Sequence, residues 1–547
     1  MKNSPLIPSM LFTLNVTLAL LWGCGDKRNK ELSSAPQPAT DTAPAYGDAF
    51  VDSSIGDASY LNPLLASDSA SGDINSMVFN GLVKYDRDLQ IVPELAEKWE
   101  VLDGGLTIVF DLKKDVRWHD GIPFTAEDVK FTYEKLVDTK VKTPYSRDFL
   151  LIKKFEVLSP HRIRVRYKKV FAPALESWGV GIIPKHVFEK GDFNSNPANR
   201  NPVGTGYYRF VRWKTAESIS LTANDDYFAG RPYISHCIYR IIPDQSVQFM
   251  ELLNESIDAM GLTPDQFLAY KEFFLNYNKF RYPTFSYTYL GFNLKNSLFS
   301  NKEIRKAIAH AIDKQKIIDG VLLGLGSPAT GPFAPSSWAY NPDVNDFEYD
   351  PQKTREILAR FGWQDSKGDG WLYKDGKRFE FTLCTNQGNK MRSLCAEIIQ
   401  QHLKKVGIKM NIRIIEWSTF IHNFINKRDF EAVILGWSTG IDPDQSSIWH
   451  SEQTKESQYN FVSYSNPDVD ELLGKGTLVF DREKRREIYR KIHSIIHSDV
   501  PYIFLYYPNA LPVIHKRFMP LQVAAAGIRW NFEKWYAPQT RQKYLKE

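Results

Sequence analysis

Gly436-Trp437-Ser438-Thr439-Gly440 matches the G-x-S-x-G pattern of a nucleophile elbow, where a serine attacks an acyl carbon from a tight strand-to-helix turn. That chemistry needs a helix directly after the serine, so that its N-terminus supports the oxyanion. Here Ile441-Asp442-Pro443-Asp444 follows, and Pro443 turns Asp442 away from helical geometry. No HGGG-type oxyanion segment is present either, which leaves a secreted serine hydrolase using Ser438 as an alternative only. His493 and His497 have the spacing of a two-histidine metal site, but Ser494-Ile495-Ile496 between them lacks the glutamate of H-E-x-x-H. Ile488, Ile492, Ile495 and Ile496 define the buried face of that helix and leave both histidines on its flank, in a structural role. Leu473-Gly474-Lys475-Gly476 lacks the first glycine and the final hydroxyl residue of a P-loop, and Gly204-Thr205-Gly206 lacks the third glycine of a dinucleotide fingerprint. Asp442 and Asp444 flank a proline and read as a turn rather than a calcium cage. The expectation is a chain without catalysis, without a metal site and with no cofactor.

The elements that position these residues alternate as β-α-β-α-β. Phe379, Phe381 and Leu383 form a strand. Leu394, Ile398, Ile399, Leu403 and Val406 follow at helical spacing, with Gly407 as the C-terminal cap. Ile408, Met410, Ile412 and Ile414 alternate again, a short helix spans Ser418 to Lys427, and Phe430–Leu435 suits a buried parallel strand. In such sheets ligands sit beyond the carboxyl ends of the strands. Those ends carry Asn386, Gln387 and Asn389, then Trp417, then Trp437, Ser438, Thr439 and Gly440. Aromatic faces, amides and hydroxyls together are binding chemistry. Upstream, Asp103-Gly104 reads as a hairpin turn between strands that end at Leu112, and Thr125 with Asp128 opens a helix. Strands follow at Ile163–Tyr167, Tyr207–Trp213 and Ser218–Ala223, with a turn-rich boundary at Asn201–Gly206.

At 547 residues the chain needs several domains, and a formal net charge of +5 is too small to suggest a nucleic-acid partner. Aromatic residues make up 14%, enough to line a cavity as well as fill cores. Lys2, the apolar stretch Leu11 to Trp22 and the small Gly23 have the form of a secretory signal over residues 1–23. Leu21-Trp22-Gly23-Cys24 resembles a bacterial lipobox with a bulky Trp22 where a small residue is usual, which implies a lipid on Cys24 and a membrane anchor. Residues 24–47 then read as a flexible tether reaching about 25–30 Å. Cys237, Cys384 and Cys395 have no metal-ligand spacing and are expected as buried free thiols.

Several segments resemble the oligopeptide- and dipeptide-binding family of extracellular solute-binding proteins that serve ABC importers. They are Leu61-Asn62-Pro63-Leu64, Gly81-Leu82-Val83, Val92-Pro93-Glu94-Leu95-Ala96, and Trp99 through Arg117-Trp118-His119-Asp120-Gly121 to Phe124-Thr125-Ala126-Glu127-Asp128-Val129. Further on come Pro202-Val203-Gly204-Thr205-Gly206-Tyr207-Tyr208, Asn224-Asp225-Asp226-Tyr227, Gly291-Phe292-Asn293, Ile304-Arg305-Lys306-Ala307, Ala311-Ile312-Asp313 and Gly436-Trp437. Trp118-His119-Asp120-Gly121 on its own reads as a turn between a strand and a capped helix.

The resemblance implies an α/β fold of class II periplasmic-binding-protein type, with two lobes, a third inserted domain and a ligand cleft between the lobes. Domain I would combine 48–85, 202–290 and 515–547. Domain II, 86–201, would extend that lobe, and domain III, 291–514, would form the other. Crossings near Tyr287–Asn293 and Tyr506–Asn509 make Tyr287, Tyr289, Asn293, Tyr506 and Tyr507 cleft residues. The implied partners are an oligopeptide or other small solute and the permease subunits of an ABC transporter with their ATPases, served by a monomer. Peptide receptors of this family often carry an Asp shortly after Gly-Trp to hold the peptide ammonium, whereas Ser438, Thr439, Gly440 and Ile441 stand here. Neutral hydrogen bonds there favour a longer peptide gripped along its backbone. An oligosaccharide stacked on Trp417 and Trp437, or a metal chelate held through His and Asp, is the alternative solute.

Overall fold

The computed structural model describes residues 42–269 and 271–544. The expected signal segment, 1–23, and the expected lipid site, Cys24, lie outside them.

Strand β1 (Gly47–Ser54) buries Ala49, Phe50 and Val51, and helix α1 (Ser69–Val78) is capped by Asp68, whose carboxylate accepts from the Ser71 amide at 3.0 Å. Strands β2 (Ala96–Leu102) and β3 (Thr107–Leu112) meet over Asp103 and Gly104, both with positive φ, as the hairpin dipeptide requires. Helix α2 (Ala126–Val137) opens with the expected capping box of Thr125 and Asp128. With β4 (Ile152–Ser159) and β5 (Arg162–Tyr167) these strands form an antiparallel sheet of order β2-β3-β5-β4.

Strands β6 (Tyr208–Lys214), β7 (Ser218–Ala223) and β8 (Ile234–Ile241) join β1 in the order β1-β8-β7-β6, with β1 parallel to β8. One apolar core runs through both sheets, from Phe50 and Leu221 to Phe110 and Trp178. The signature turn at Trp118–Gly121 is structural. His119 Nδ1 accepts from the Gly204 amide and Nε2 donates to Gly206 O, while burial pushes the imidazole down to about 4, so it stays neutral. Glycine is required at 204 and 206 by close approach: a Cβ there would lie 1.8 Å from Val78 O and 2.2 Å from Met77 O.

Strand β9 (Ala259–Gly261), β10 (Tyr277–Lys279), β11 (Tyr282–Pro283) and β12 (Ser286–Phe292) lead into the second half of the chain. There β13 (Gly326–Pro328), β14 (Glu380–Asn386), β15 (Lys409–Ile415), β16 (Ala432–Ser438) and β17 (Tyr502–Ala510) complete a seven-stranded sheet of order β11-β17-β12-β16-β14-β15, with β13 on β17. Helix α3 (Lys390–Lys405) covers one face, and Gly407 at φ 81° ends it as expected. Helix α4 (Arg482–Asp499) packs on the other. Alternation along β17 fills both faces, Ile503 and Leu505 in one core and Tyr502 and Phe504 in the other; at the register shift opposite Thr288 and Tyr289, Tyr506 stays with Leu505, and Tyr507 returns to the second core. Strand β18 (Pro512–His515) returns to pair with β9 and β10.

Three expectations change. The segment Phe430–Leu435 contributes β16, which begins at Ala432, runs parallel to β14 only at Ala432 and Val433, and pairs antiparallel with β12 along its whole length. The helix expected at Ser418–Lys427 is an α-turn, Trp417–Thr419, running into a π-helical stretch, Phe420–Ile425. His493 is fully buried rather than on a flank; it accepts from the Asn341 amide and bonds Thr330 Oγ1, so a polar pair holds it in the core while Ile488 and Ile495 are only half-buried. The cysteines are buried and free: Cys384 and Cys395 lie in the cores on opposite faces of the seven-stranded sheet, out of reach of each other.

Arg517 ties distant segments together. Its guanidinium pairs with Asp48 on β1 and, at 2.7 Å, with Asp258, all three nearly without solvent exposure. Replacing it by methionine leaves two buried carboxylates unpaired. Urea unfolding of Arg517→Met is expected to show a loss of about 3–5 kcal/mol; a loss under about 1 kcal/mol would mean that these ions are reached by water.

Candidate functional site

The chain passes between its two halves twice, from β10 to β12 and from β17 to β18, and the passing segments pair with each other, Tyr282 with Ala510 and Pro283 with Asn509. A cavity of about 630 Å³ lies against this crossing. Its floor is the start of β12 and the end of β16. Tyr289 stacks on Tyr502 at 3.8 Å, and Tyr287 meets Phe504 edge-on at 5.3 Å. Trp437 donates from Nε1 to Tyr502 Oη at 3.3 Å and presents its ring edge-on to Tyr459 at 5.1 Å. Trp417 forms another wall, close under Gly56, where a Cβ would lie 2.7 Å from the indole. Tyr287 and Trp417 line this space, and their buried polar atoms Tyr287 Oη and Trp417 Nε1 have no hydrogen-bond partner among the described residues. Unpartnered buried donors are costly and mark where a ligand or water belongs.

Of the residues expected from sequence, Tyr287, Tyr289, Asn389, Trp417, Trp437, Ser438, Thr439, Gly440 and Tyr506 line the cavity. Four do not. Asn293 stands past the far end of β12, where its amide donates to Arg428 O and Phe430 O. Asn386 is buried behind the wall and accepts from Arg392 Nη1 at 2.7 Å. Gln387 is exposed, with its amide on Ile415 O. Tyr507 alternates to the face opposite Tyr506 and donates to Gly331 O. Sequence reasoning missed Arg392, Asp68, Tyr145 and Tyr459. For Arg392 a signal existed, a cation in the first turn of a helix where the dipole disfavours it. Ser438 has no elbow around it, since the next helical turn begins only at Ser446.

Contacts from both halves close the rim. Tyr459 donates to Tyr145 Oη at 3.0 Å, which donates onward to Ala66 O; Lys142 pairs with Glu456, and Lys390 with Asp265. Beyond Gly440, Asp444 and Tyr145 lies a second space of about 430 Å³ with carboxylates from both sides: Asp148 and Glu176 opposite Asp442 and Asp444. Arg485 grips Asp442 with two bonds of 2.7 Å, and Arg147 lies 3.5 Å from Asp444 and 3.8 Å from Asp148. Two cations do not neutralise four carboxyls. Burial, then Asp444, pushes Asp148 up to about 7; burial, then Asp442, pushes Glu176 up to about 7.

Two α/β lobes joined at a paired crossing, with an aromatic cavity enclosed between them, define a solute-binding protein of class II periplasmic type. The family model for bacterial extracellular solute-binding proteins, family 5 Middle, matches residues 90–459, and the chain belongs to that family. It is 36% identical over 550 residues to the oligopeptide-binding protein AppA of Bacillus subtilis (strain 168), covering 98% of this chain and 99% of that protein. The structure of AppA from Bacillus subtilis in complex with a nonapeptide superposes with a TM-score of 0.87, covering 90% of this chain and 100% of that one. NikZ from Campylobacter jejuni in complex with Ni(L-His) gives 0.80 at 27% identity, covering 90% and 99%.

If closing the lobes is what buries this cluster, closure is expected to depend on pH. A carboxyl that rises on closure holds its proton more tightly in the closed form, so it favours closure fully below the ordinary carboxylate range and loses that effect as pH climbs to about 7. The closed population, read from labels on the two lobes, is expected to be higher at about pH 5 than at about pH 8, by up to about tenfold per pH unit and carboxyl within that window. Asp148→Asn with Glu176→Gln should flatten the profile; an unchanged slope would remove the cluster from the explanation.

Proposed function

We propose that this protein is a receptor that captures an oligopeptide in the cavity, closes on it and delivers it to the permease of an ABC importer. The carrying observation is the edge of β16. Register with β14 covers only Ala432 and Val433, while the cavity-lining residues Gly436, Trp437 and Ser438 pair on their other side with β12. An extended peptide can add there as a strand, gripped by backbone hydrogen bonds and sorted by flanking aromatic pockets. That the relative AppA was solved with a nonapeptide supports the choice of solute. Tyr287, Tyr289, Asn389, Trp417, Trp437, Ser438, Thr439, Gly440 and Tyr506 are the proposed ligand contacts.

In this reading residues 48–85, 202–290 and the C-terminal segment form one lobe, extended by 86–201, with the rest of the chain as the other. We draw the second crossing at Leu511 rather than at His515, because β18 pairs with β9 and β10. The protein works as a monomer outside the cytoplasm, tethered through lipid on Cys24, with no catalytic step and no cofactor. Ser438 serves as a wall residue.

Native mass spectrometry of protein purified without refolding is expected to show a heterogeneous set of bound peptide masses. A single sugar or metal-chelate mass would replace the peptide with that solute. For any peptide so identified, Trp437→Ala should weaken binding by about 2 kcal/mol, roughly thirtyfold in Kd; unchanged affinity in calorimetry would show that this ring does not face the ligand.

A further inference from the structure

A contact that uses no residue of the crossing or of the cavity wall joins the β2-β3-β5-β4 sheet to the second lobe. The backbone amide of Ala172, in the loop after β5, donates to Thr477 O at 2.7 Å. Thr477 lies in the last turn of the helix Pro467–Leu478, and Phe480 stands in the short link from that helix to α4. The Phe480 ring lies against Gly105 at the tip of the β2-β3 hairpin. A Cβ at Gly105 would be 2.8 Å from Phe480 Cζ and 3.0 Å from Cε2, with Val170 next at 3.8 Å. Gly105 is buried although Val101 to Gly104 before it are exposed, and the nearest side chain to it belongs to the other lobe.

Both surfaces are held by bonds within their own lobe. On one side Asp103, Gly104 and Gly105 have φ of 54°, 62° and 97°, and Thr107 Oγ1 donates to Asp103 Oδ2 at 2.7 Å, which fixes the tip. On the other, Thr477 Oγ1 donates to Gly474 O at 2.8 Å and Arg485 Nε to Gly476 O at 2.9 Å, while Asp481 caps α4 through the Lys484 amide at 2.9 Å. Preformed surfaces lose little conformational entropy when they meet. Phe480 is 59% exposed and belongs to none of the apolar cores, so its ring does not hold its own lobe together. What it covers is the facing lobe. Glycine is needed at 105 on two counts, the left-handed backbone and the ring that fills the place of a Cβ. The same link stands beside the facing carboxyls, because Arg485, which holds Gly476 O, also grips Asp442. An attraction is thus placed next to the repulsion between the lobes.

We propose that Phe480 on Gly105, together with the Ala172–Thr477 bond, is a latch that slows separation of the lobes whatever solute lies between them. One ring with much of its surface in water and one hydrogen bond make a latch weak enough to release. The proposal rests on that part of the receptor reading in which the lobes separate, and on none of its claims about the solute.

The test combines hydrogen exchange, followed by mass spectrometry on fragments containing Ala172, with labels on the two lobes of the full chain. In wild type the Ala172 amide is expected to exchange at least about tenfold more slowly than an open amide. Phe480→Ala should speed that exchange, and raise the separated population, by about fivefold to tenfold, while exchange in β3 and β17 and the melting temperature stay unchanged. Phe480→Leu should fall between. If Ala172 exchanges as an open amide in wild type, the latch is refuted without any variant. It is refuted equally if Phe480→Ala changes neither reading, or speeds exchange at Ala172 while the lobes separate as before. Labels that report one fixed separation in every sample would overturn both the latch and closure. Should native mass spectrometry find no bound peptide while exchange and separation respond as expected, the choice of solute falls and the latch stands.

Discussion

Everything at the cavity depends on two strands that lie side by side where the chain passes between its halves. β12 enters the seven-stranded sheet and β17 leaves it, antiparallel neighbours with a register shift between Thr288 and Tyr289. Because the passing segments are also bonded to each other, neither can shift alone, and motion between the lobes reduces to flexing one narrow ribbon. The same strands carry the cavity floor. Tyr287 and Tyr289 on β12 are fixed by Phe504 and Tyr502 on β17, so the floor of the cavity is also the crossing between the lobes.

The first lobe can serve as a rigid partner because its distant segments are bound by charge as well as by packing. Arg517 joins residues at 48 and 258, and Arg529 pairs with Asp52 at 2.6 Å beneath the same sheet. Around Gly204 and Gly206 backbone touches backbone, which fixes the segment leading into β6 to the end of α1. The second lobe has a different solution. Its sheet is filled on both faces by alternating residues of single strands, so a strand end such as β16 can protrude past its neighbour and remain ordered.

Local grammar in the sequence was strong and long-range facing was weak. The Asp103-Gly104 turn, the Thr125–Asp128 box, the Gly407 cap and the strands at 208–214 and 218–223 stand where short-range physics puts them. The family signature also carried the two-lobed architecture; the strand-end rule located six cavity-wall residues, and the chain crossings implied by the resemblance located Tyr287, Tyr289 and Tyr506. Proximity in sequence failed where a single alternation or helical step decides direction: Tyr507 turns away beside Tyr506, Gln387 is exposed beside buried Asn386, and His493 enters the core that isoleucines seemed to fill. Arg392 was not found because a basic residue in a first turn looks like solvent-facing surface until tertiary packing shows it enclosed. Tyr145 and Tyr459 meet across more than three hundred residues, which no local pattern encodes.

The rim contacts say how firmly the lobes would hold by themselves. Lys142 and Glu456 are 61% and 56% exposed, and Lys390 and Asp265 45% and 50%. Exposed pairs of that kind contribute about 0–1 kcal/mol each. Facing carboxyls behind Gly440 repel one another across the lobes unless protonated. Contact between the lobes is therefore held weakly by the protein and hindered by that cluster. A solute held between the lobes would add contacts to both. Its effect falls on the difference between open and closed forms, which is the quantity a receptor must control.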